Sequence, residues 1–471
     1  MAADLFAQLT TASRSLAAQR VASSTASNNI ENASTPGYAR QRANLVALGG
    51  VQDGNSILGL GVDVSSVTQV RDRFIENQMP GALAAAGAAD ARQSVLTPVA
   101  ALDPSGPGTL TDAMGSFFAS LRTVAVDPTQ AGAREAAVAA ARTLAHTFQS
   151  AAADIDGQRR GIDSDLQGNV DQVNQLSAQV ATLNAQIRAQ SAGGNSPNDL
   201  LDARQSALDS LAEKTGGSVL IDAQGNANVQ LPSGAPLVIG DHAATLSAIP
   251  DGANGGHLKL QISATDSSAA PPHDVAFASG AGTIGGLLQA RDVDLKSAAN
   301  NVDNLAFNLA TSLNTIHQAG FAEDGSSGRT LFDIPATAAG AASSIAVNAQ
   351  VNADPTLLAA SSAGSAGDGV QAQALAAVET SALSTGQTPT DALAQMVSSF
   401  GTSAAQAAND QATADASKSS LTSLRESTSG VSIDEEMVEL TKAQRAFEAS
   451  TKVIQTADQM LQSLLAIAGT P

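Results

Sequence analysis

The 471-residue chain has no cysteine and no tryptophan, one tyrosine (Tyr38), and only 3% aromatic residues. Without cysteine there is no disulfide, no thiolate metal ligand and no cysteine nucleophile. Hydrophobic residues reach 43%, but alanine supplies much of that, so each buried side chain removes little apolar area from water. Stability must then be spread over long contacts, which favours extended helical packing over one thick core. Basic residues are also scarce. The 24 present face 44 acidic ones, for a net charge of −20, the wrong sign for a partner with a phosphate backbone. No run of about 18 apolar residues is available to span a membrane. The opening MAADLFAQLTTASRSLAAQR lacks the basic and continuously apolar regions of a cleavable signal peptide. The chain is therefore expected to be cytoplasmic or exported without such a signal, with no membrane anchor.

What the chain does have is heptad spacing. Near the start, Leu5, Leu9, Ala12, Leu16, Gln19, Ser23, Ala26 and Ile30 alternate steps of four and three. Near the end, Ile433, Met437, Leu440, Gln444, Phe447, Thr451, Ile454, Asp458, Leu461 and Leu465 do the same. Both stripes are diluted by small and polar residues. Burying their few large side chains at ~1.5–3 kcal/mol each competes with roughly 1–2 kcal/mol of backbone entropy per ordered residue. The ends are thus expected to be poorly ordered alone and to fold against partners. A fuller stripe runs from Phe148 through Ile155, Ile162, Leu166, Val173, Val180 and Leu183 to Ile187, a helix roughly 60 Å long. SAGGNSPND breaks it, and LLDARQSALDSLAEKT resumes as the second arm of a hairpin.

From about 217 to 283 the pattern changes to short apolar runs separated by Gly-Asn and Ser-Gly turns. A long helix follows from about Gly286 to Gln318. A short β segment is expected at 331–355, and helices return from about 367, interrupted by TGQTP at 385–389. The fold class is mainly α with a β-rich inserted middle domain. The N- and C-terminal coiled-coil helices pair at one end, a long helical layer forms the core, and the β-rich domain lies outermost. The expected divisions are 1–42 with 430–471 for the terminal assembly domain, 43–216, 284–330 and 356–429 for the helical core, and 217–283 with 331–355 for the β-rich domain.

No motif for catalysis, a cofactor or a metal is supported by its context. Gly280, Gly282 and Gly285 match G-x-G-x-x-G with Asp303 downstream, but a long helix follows where a dinucleotide fold needs a returning strand. A glycine joint is the better reading. His146, His242, His257, His273 and His317 share no metal-ligand spacing, and there is no H-E-x-x-H or G-x-S-x-G. AEDGSSG at 322–328 has too few carboxylates for a calcium loop and reads as a solvated turn.

One local feature is sharply specified. In NNIENASTPGYARQR, residues 28–42, Thr35-Pro36-Gly37-Tyr38 suits a type II turn: Pro presets φ at the second position and Gly tolerates positive φ at the third. Pro36 also ends the preceding helix. The residues read as a joint that fixes the angle between the first helix and the chain beyond it.

SNNIENASTPGYARQR resembles the N-terminal signature S-N-N-I-A-N-x-x-T-P-G-Y of the bacterial flagellar rod, hook and hook-associated proteins. VSIDEEMVELTKAQRAFEASTKVIQTADQMLQSLL is similar to that family's C-terminal signature. GLGVDVSSVTQVRDRFIENQM, DPTQAGAREAAVAAARTLAHTF, NDLLDARQSALDSLAEKTG and GGLLQARD, within the interior, resemble the hook-associated junction members. The resemblance implies an extracellular structural subunit between hook and filament, not an enzyme. Its implied partners are further copies of itself in a ring, the hook protein, the second junction protein, the type III export apparatus and an export chaperone at the C-terminal helix. It makes Asn28, Asn29, Pro36, Gly37 and Tyr38 candidates for an assembly joint. Leu5, Leu9, Leu16, Ile30, Ile433, Met437, Leu440, Phe447, Ile454, Leu461 and Leu465 become candidates for the assembly helices. A hook or rod subunit, or a secreted coiled-coil adhesin, is the alternative.

Overall fold

The computed structural model describes residues 2–35, 37–53, 56–97, 108–193, 196–263 and 271–468; for 2–4, 51–53, 56–58 and 464–468 it describes the backbone alone. Helix α1 (Ala2–Glu31) leads through the joint into strands β1 (Gln41–Ala47), β2 (Val51–Asp53), β3 (Ser56–Leu58) and β4 (Val62–Gln69). β1 and β4 form an antiparallel ribbon, as do β2 and β3. The ribbon of β1 and β4 lies against α1. Helices α2 (Arg73–Leu96), α3 (Leu110–Val126), α4 (Ala131–Ala192) and α5 (Asn198–Thr215) follow.

At 62 residues, α4 is the spine of the molecule, about 90 Å long at 1.5 Å per residue. It begins well before the expected Phe148. The added length is carried by Ala133, Ala137, Ala141 and Ala145, all buried against α3 and its neighbours. Alanine is the strongest helix former, and it seals a close contact without adding a large side chain to the pattern. Phe117, Phe118 and Phe148 form the bulkiest part of the core here, with Phe117 and Phe332 meeting edge to face at 5.9 Å.

The β-rich region contains a four-stranded sheet, β5 (Ser218–Ile221), β6 (Ala227–Gln230), β7 (Pro236–Ile239) and β8 (His242–Ala243), paired in that order. A second sheet places β10 (Leu258–Ile262) between β9 (Leu246–Pro250) and β11 (His273–Asp274). Both lean on α4, where Asn184 and Asn174 bind strand backbone directly. The helix then runs as α6 (Gly282–Gln289), one wide π turn at 290–294, and α7 (Leu295–Ala319). The π turn carries Arg291 inward, to Asp163 and Asp292, while Val293 stays exposed.

Residues 331–355 differ from the expected β segment. Strands β12 (Phe332–Asp333) and β13 (Ala346–Val347) are two residues each, with short helices α8 (Ala341–Ser344) and α9 (Ala349–Ala353) beside them. Asp303, the would-be ribose ligand, instead accepts N–H bonds from Gly340 (2.8 Å) and Ala342 (2.9 Å) at the start of α8. The glycine joint before α6 is likewise a tight contact. Gly282 has φ +66°, and a Cβ there would sit 2.5 Å from the Lys214 carbonyl carbon, while one on Gly286 would overlap the Ala88 carbonyl. Helices α2, α5 and α6 cross here at backbone contact. The chain ends with α10 (Val370–Ala377), α11 (Pro389–Ser429) and α12 (Ile433–Ala468).

Candidate assembly interface

α1 and α12 pack along each other, joining the two ends of the chain in one unit. This is the pairing of the two terminal helices at one end that the heptad stripes led one to expect. The seam differs in part from the one expected for α12. Glu436, Ala443 and Ala457 are buried, with Ser450 half-buried and 3.2 Å from Ser15 across the seam. These alternate with half-buried Leu440, Phe447, Ile454 and Leu461. The expected Met437, Gln444, Thr451 and Asp458 lie one residue further round the helix. Both sets share the 4-3 spacing, and the chain uses the one with small residues because they let the two backbones approach. On α1 the same logic buries Leu5, Ala12, Ala18 and Ala26 and leaves Leu9, Leu16 and Ile30 half-buried.

Ile433 (52%) and Met437 (49%) are therefore exposed on α12. Val438, Val453 and Met460 are exposed on the same helix, Phe6 on its neighbour α1, and Leu45 and Val46 on β1, which packs on α1. The side chain of Leu465 lies outside the described residues.

The joint is built around Asn29, 1% exposed. Its amide donates to the Gln41 carbonyl and to Glu436 Oε2, both at 2.9 Å. Its Oδ1 accepts from Tyr38 OH at 2.8 Å and from the Gln41 N–H at 2.9 Å. Two donors and two lone pairs are all engaged, the full capacity of the group. Glu436 also accepts from Arg40 Nε at 2.7 Å, and Arg40 Nη1 reaches Glu435 at 2.9 Å. The Arg40 backbone N–H bonds Ser429 at the end of α11, and its carbonyl accepts from Val70. Asn29 and Arg40 together thus tie α1, the ribbon, the end of α11 and the start of α12.

The turn that aims Tyr38 closes through its N–H to the Thr35 carbonyl at 3.2 Å, with Gly37 at φ +81°. Pro36 itself lies outside the described residues. Burial, then the charges of Asp202, Asp199 and Glu436, push the Tyr38 phenol well above its ordinary range, so it remains a donor. Asn28 acts locally, accepting from Asn32 at 2.6 Å as the helix ends. Sequence reasoning did not select Arg40, Gln41, Asn198, Asp202 or Glu436. Gln41 and Asn198 bond each other and hold the ribbon on α5, with Asn198 Nδ2 also reaching the Val67 carbonyl at 3.1 Å. Arg71 bridges Asp202 on α5 and Glu76 on α2. Burial pushes the Asp202 carboxyl up, and Arg71 opposes that shift. No local spacing in the sequence marks them, because the segments that meet here lie far apart in the chain.

Comparison with known proteins separates the ends from the interior. Residues 9–38 match the family described as flagella basal body rod protein, and 425–467 match the C-terminal region of the flagellar basal body rod FlgEFG proteins. Those two matches cover most of the paired helices and the Asn29–Tyr38 part of the joint. Residues 102–332 match the helical domain of flagellar hook-associated protein FlgK. The chain belongs to the flagellar hook-associated protein 1 family. Among hook-associated protein 1 relatives, that of Escherichia coli is 30% identical over 321 residues, 68% of this chain and 58% of the relative's own length. That of Bacillus subtilis is 26% identical over 98% of both chains. The hook junction protein FlgK of Burkholderia pseudomallei shares the fold, with a TM-score of 0.67 over 75% of this chain and all of that one, at 18% identity.

Proposed function

We propose that this chain is a structural subunit of the bacterial flagellum, forming a ring of copies at the junction between hook and filament. The interior carries this reading: the long-helix region at 102–332 matches the hook-associated family, whereas the terminal matches are of rod type. The terminal unit fits a subunit that polymerises through its ends, because it leaves Phe6, Ile433, Met437, Val438, Val453 and Met460 facing outward. In this reading the Asn29 joint fixes the angle between the innermost helices and the layer outside them. The neighbours along the axis are the hook protein and the second junction protein. The subunit leaves the cell through the type III export apparatus, and a chaperone covers α12 beforehand. The role is structural and not enzymatic.

Electron microscopy of flagella from a strain deleted for the gene tests this, together with an assay for flagellin in the medium. Hooks without filaments, with flagellin lost to the medium, is the expected result. Absent hooks would move the protein to the rod or hook, and normal filaments would remove the reading.

A further inference from the structure

Away from the terminal unit, a groove of about 870 Å³ runs between the first turns of α2 and strand β5, with α5 as its floor. Its β wall is the continuous stretch 216–221. Among the described residues β5 pairs only with β6, so its other edge, beside the groove, has no strand partner for its backbone N–H and C=O groups. Leu220, 71% exposed, and Ile221, 54%, stand at the same edge. Natural sheets usually protect such an edge with charge, proline or a covering element. This one is flanked by a cleft.

The charges lining the cleft are unbalanced. Glu76 is its one carboxylate, and it is engaged by Arg71 and Arg425, each at 3.2 Å. Arg71 is in turn engaged by Asp202. Two cations remain. Arg204 is buried, yet its Nη1 meets only neutral oxygens, Asn184 Oδ1 at 3.0 Å and the Gly225 carbonyl at 2.8 Å. Among the described residues, Arg73 meets no carboxylate within ion-pair distance and is exposed at the groove mouth. In a chain of net charge −20, Arg73 without an ion-pair partner and Arg204 opposed only through space by Asp222 leave the groove beside the edge of β5 short of negative charge.

We infer that this groove binds an extended acidic segment of a neighbouring copy of the chain, which adds a strand to β5 and sets its carboxylates on Arg73 and Arg204. Six residues of wall at about 3.4 Å each accept a segment of five or six residues. Backbone pairing along a free edge supplies affinity, and the side-chain positions supply selectivity. A second copy fits the charge requirement, because 44 acidic residues against 24 basic ones make its surface the opposite sign to the groove. The inference rests on the junction reading, in which copies stand side by side.

The test uses the full chain in its own strain, with the photo-crosslinking residue benzoylphenylalanine at position 220 and isolated flagella irradiated. The expected product is a species of twice the 47.0 kDa chain mass, its attached peptide containing Asp or Glu. Arg73→Glu, at an exposed position without a partner to lose, should cut the yield about tenfold, the loss of one charge-assisted contact. Filamented flagella with no copy-to-copy product would overturn the groove assignment and leave the junction role standing. Attachment to a different flagellar protein, or a product indifferent to Arg73→Glu, would overturn it as well. Flagella lacking the chain altogether would overturn both.

Discussion

Asn29 and Glu436 lie 407 positions apart in the chain and 2.9 Å apart in the fold, Nδ2 donating to Oε2 in a buried setting. This contact links the first helix to the last at the point where both meet the body of the molecule. Replacing Asn29 with Leu, which is similar in size, strands the Gln41 N–H, the Tyr38 hydroxyl and one Glu436 oxygen. Buried polar groups left unsatisfied cost about 1–3 kcal/mol each. The expected result is loss of amide-exchange protection throughout α1 and α12, with protection of α4 and α7 unchanged. Retained protection in the terminal helices would show that the apolar seam alone holds them.

Gly37 is a backbone requirement of the same joint. With φ at +81°, Gly37→Ala costs roughly 1–2 kcal/mol for the left-handed conformation, and the β-branched Gly37→Val more. The helical core does not depend on this turn, so its thermal unfolding should shift little. Filament attachment in the complemented deletion strain should fall sharply. Normal attachment with Gly37→Val would separate the turn from assembly.

The periodic elements were legible in the sequence and the polar ones were not. The heptad spacing marked α1, α4 and α12, and turn chemistry marked the strands between 218 and 274. On α12 the expected Leu440, Phe447, Ile454 and Leu461 lie on the seam, but the positions between them were read one residue late, because Met437 outweighed Ala443 and Ala457 by size. The structure buries the smaller pair to bring the helices close and leaves the larger side chain exposed. The roles of Arg40, Gln41 and Glu436 depend on three segments meeting in space, and no local spacing encodes that meeting. The Gly282–Gly286 run was visible as glycine, but its cause is contact with α2 and α5, which lie far away in sequence.

Exposed apolar residues on the terminal unit give a contrast between stability and assembly. Val453→Lys combined with Met460→Lys changes side chains that are each about half exposed and lie one heptad apart on one face of α12. Surface substitutions of this kind usually alter stability by no more than about 0.5 kcal/mol. The monomer should therefore unfold at an unchanged denaturant midpoint. Filaments should be lost or shed, because a charge would be buried wherever a neighbour covers this face. Intact filaments would place these residues outside the contact.

His317 predicts a pH dependence. It is 1% exposed, and its Nδ1 faces the Arg329 carbonyl at 2.8 Å while its Nε2 accepts the Ala359 N–H at 3.0 Å. The neutral ring satisfies both contacts, and protonation would set a proton against the Ala359 N–H. Burial accordingly lowers its pKa from the ordinary histidine value of 6.5. The unfolded chain binds the proton more readily, so the contribution is fully present above about pH 6.5 and is lost as pH falls below it. Denaturant unfolding at pH 7.5 and pH 5.5 should show the wild type losing more stability in acid than His317→Gln. Equal losses would mean that the ring does not titrate against folding.

The crossing of α2 and α6 sets the position of everything attached to them, including the joint. Gly286 faces the Ala88 carbonyl so closely that a Cβ would overlap it, and this atom is backbone, which cannot rotate away. Gly286→Ala normally gains about 1 kcal/mol of helix propensity. Here the gain is opposed by separating two helices, and overpacking of this kind costs typically 1–3 kcal/mol and occasionally more. The net effect should be destabilising, with the largest rise in amide exchange in α2 and α6. Gly115 is the control, because it lies in helix α3 and a methyl added to it would meet no atom within 4 Å. Gly115→Ala should stabilise by about 1 kcal/mol or less. Opposite signs for two identical substitutions in helices would establish that close approach, and not helix propensity, selects glycine at 286.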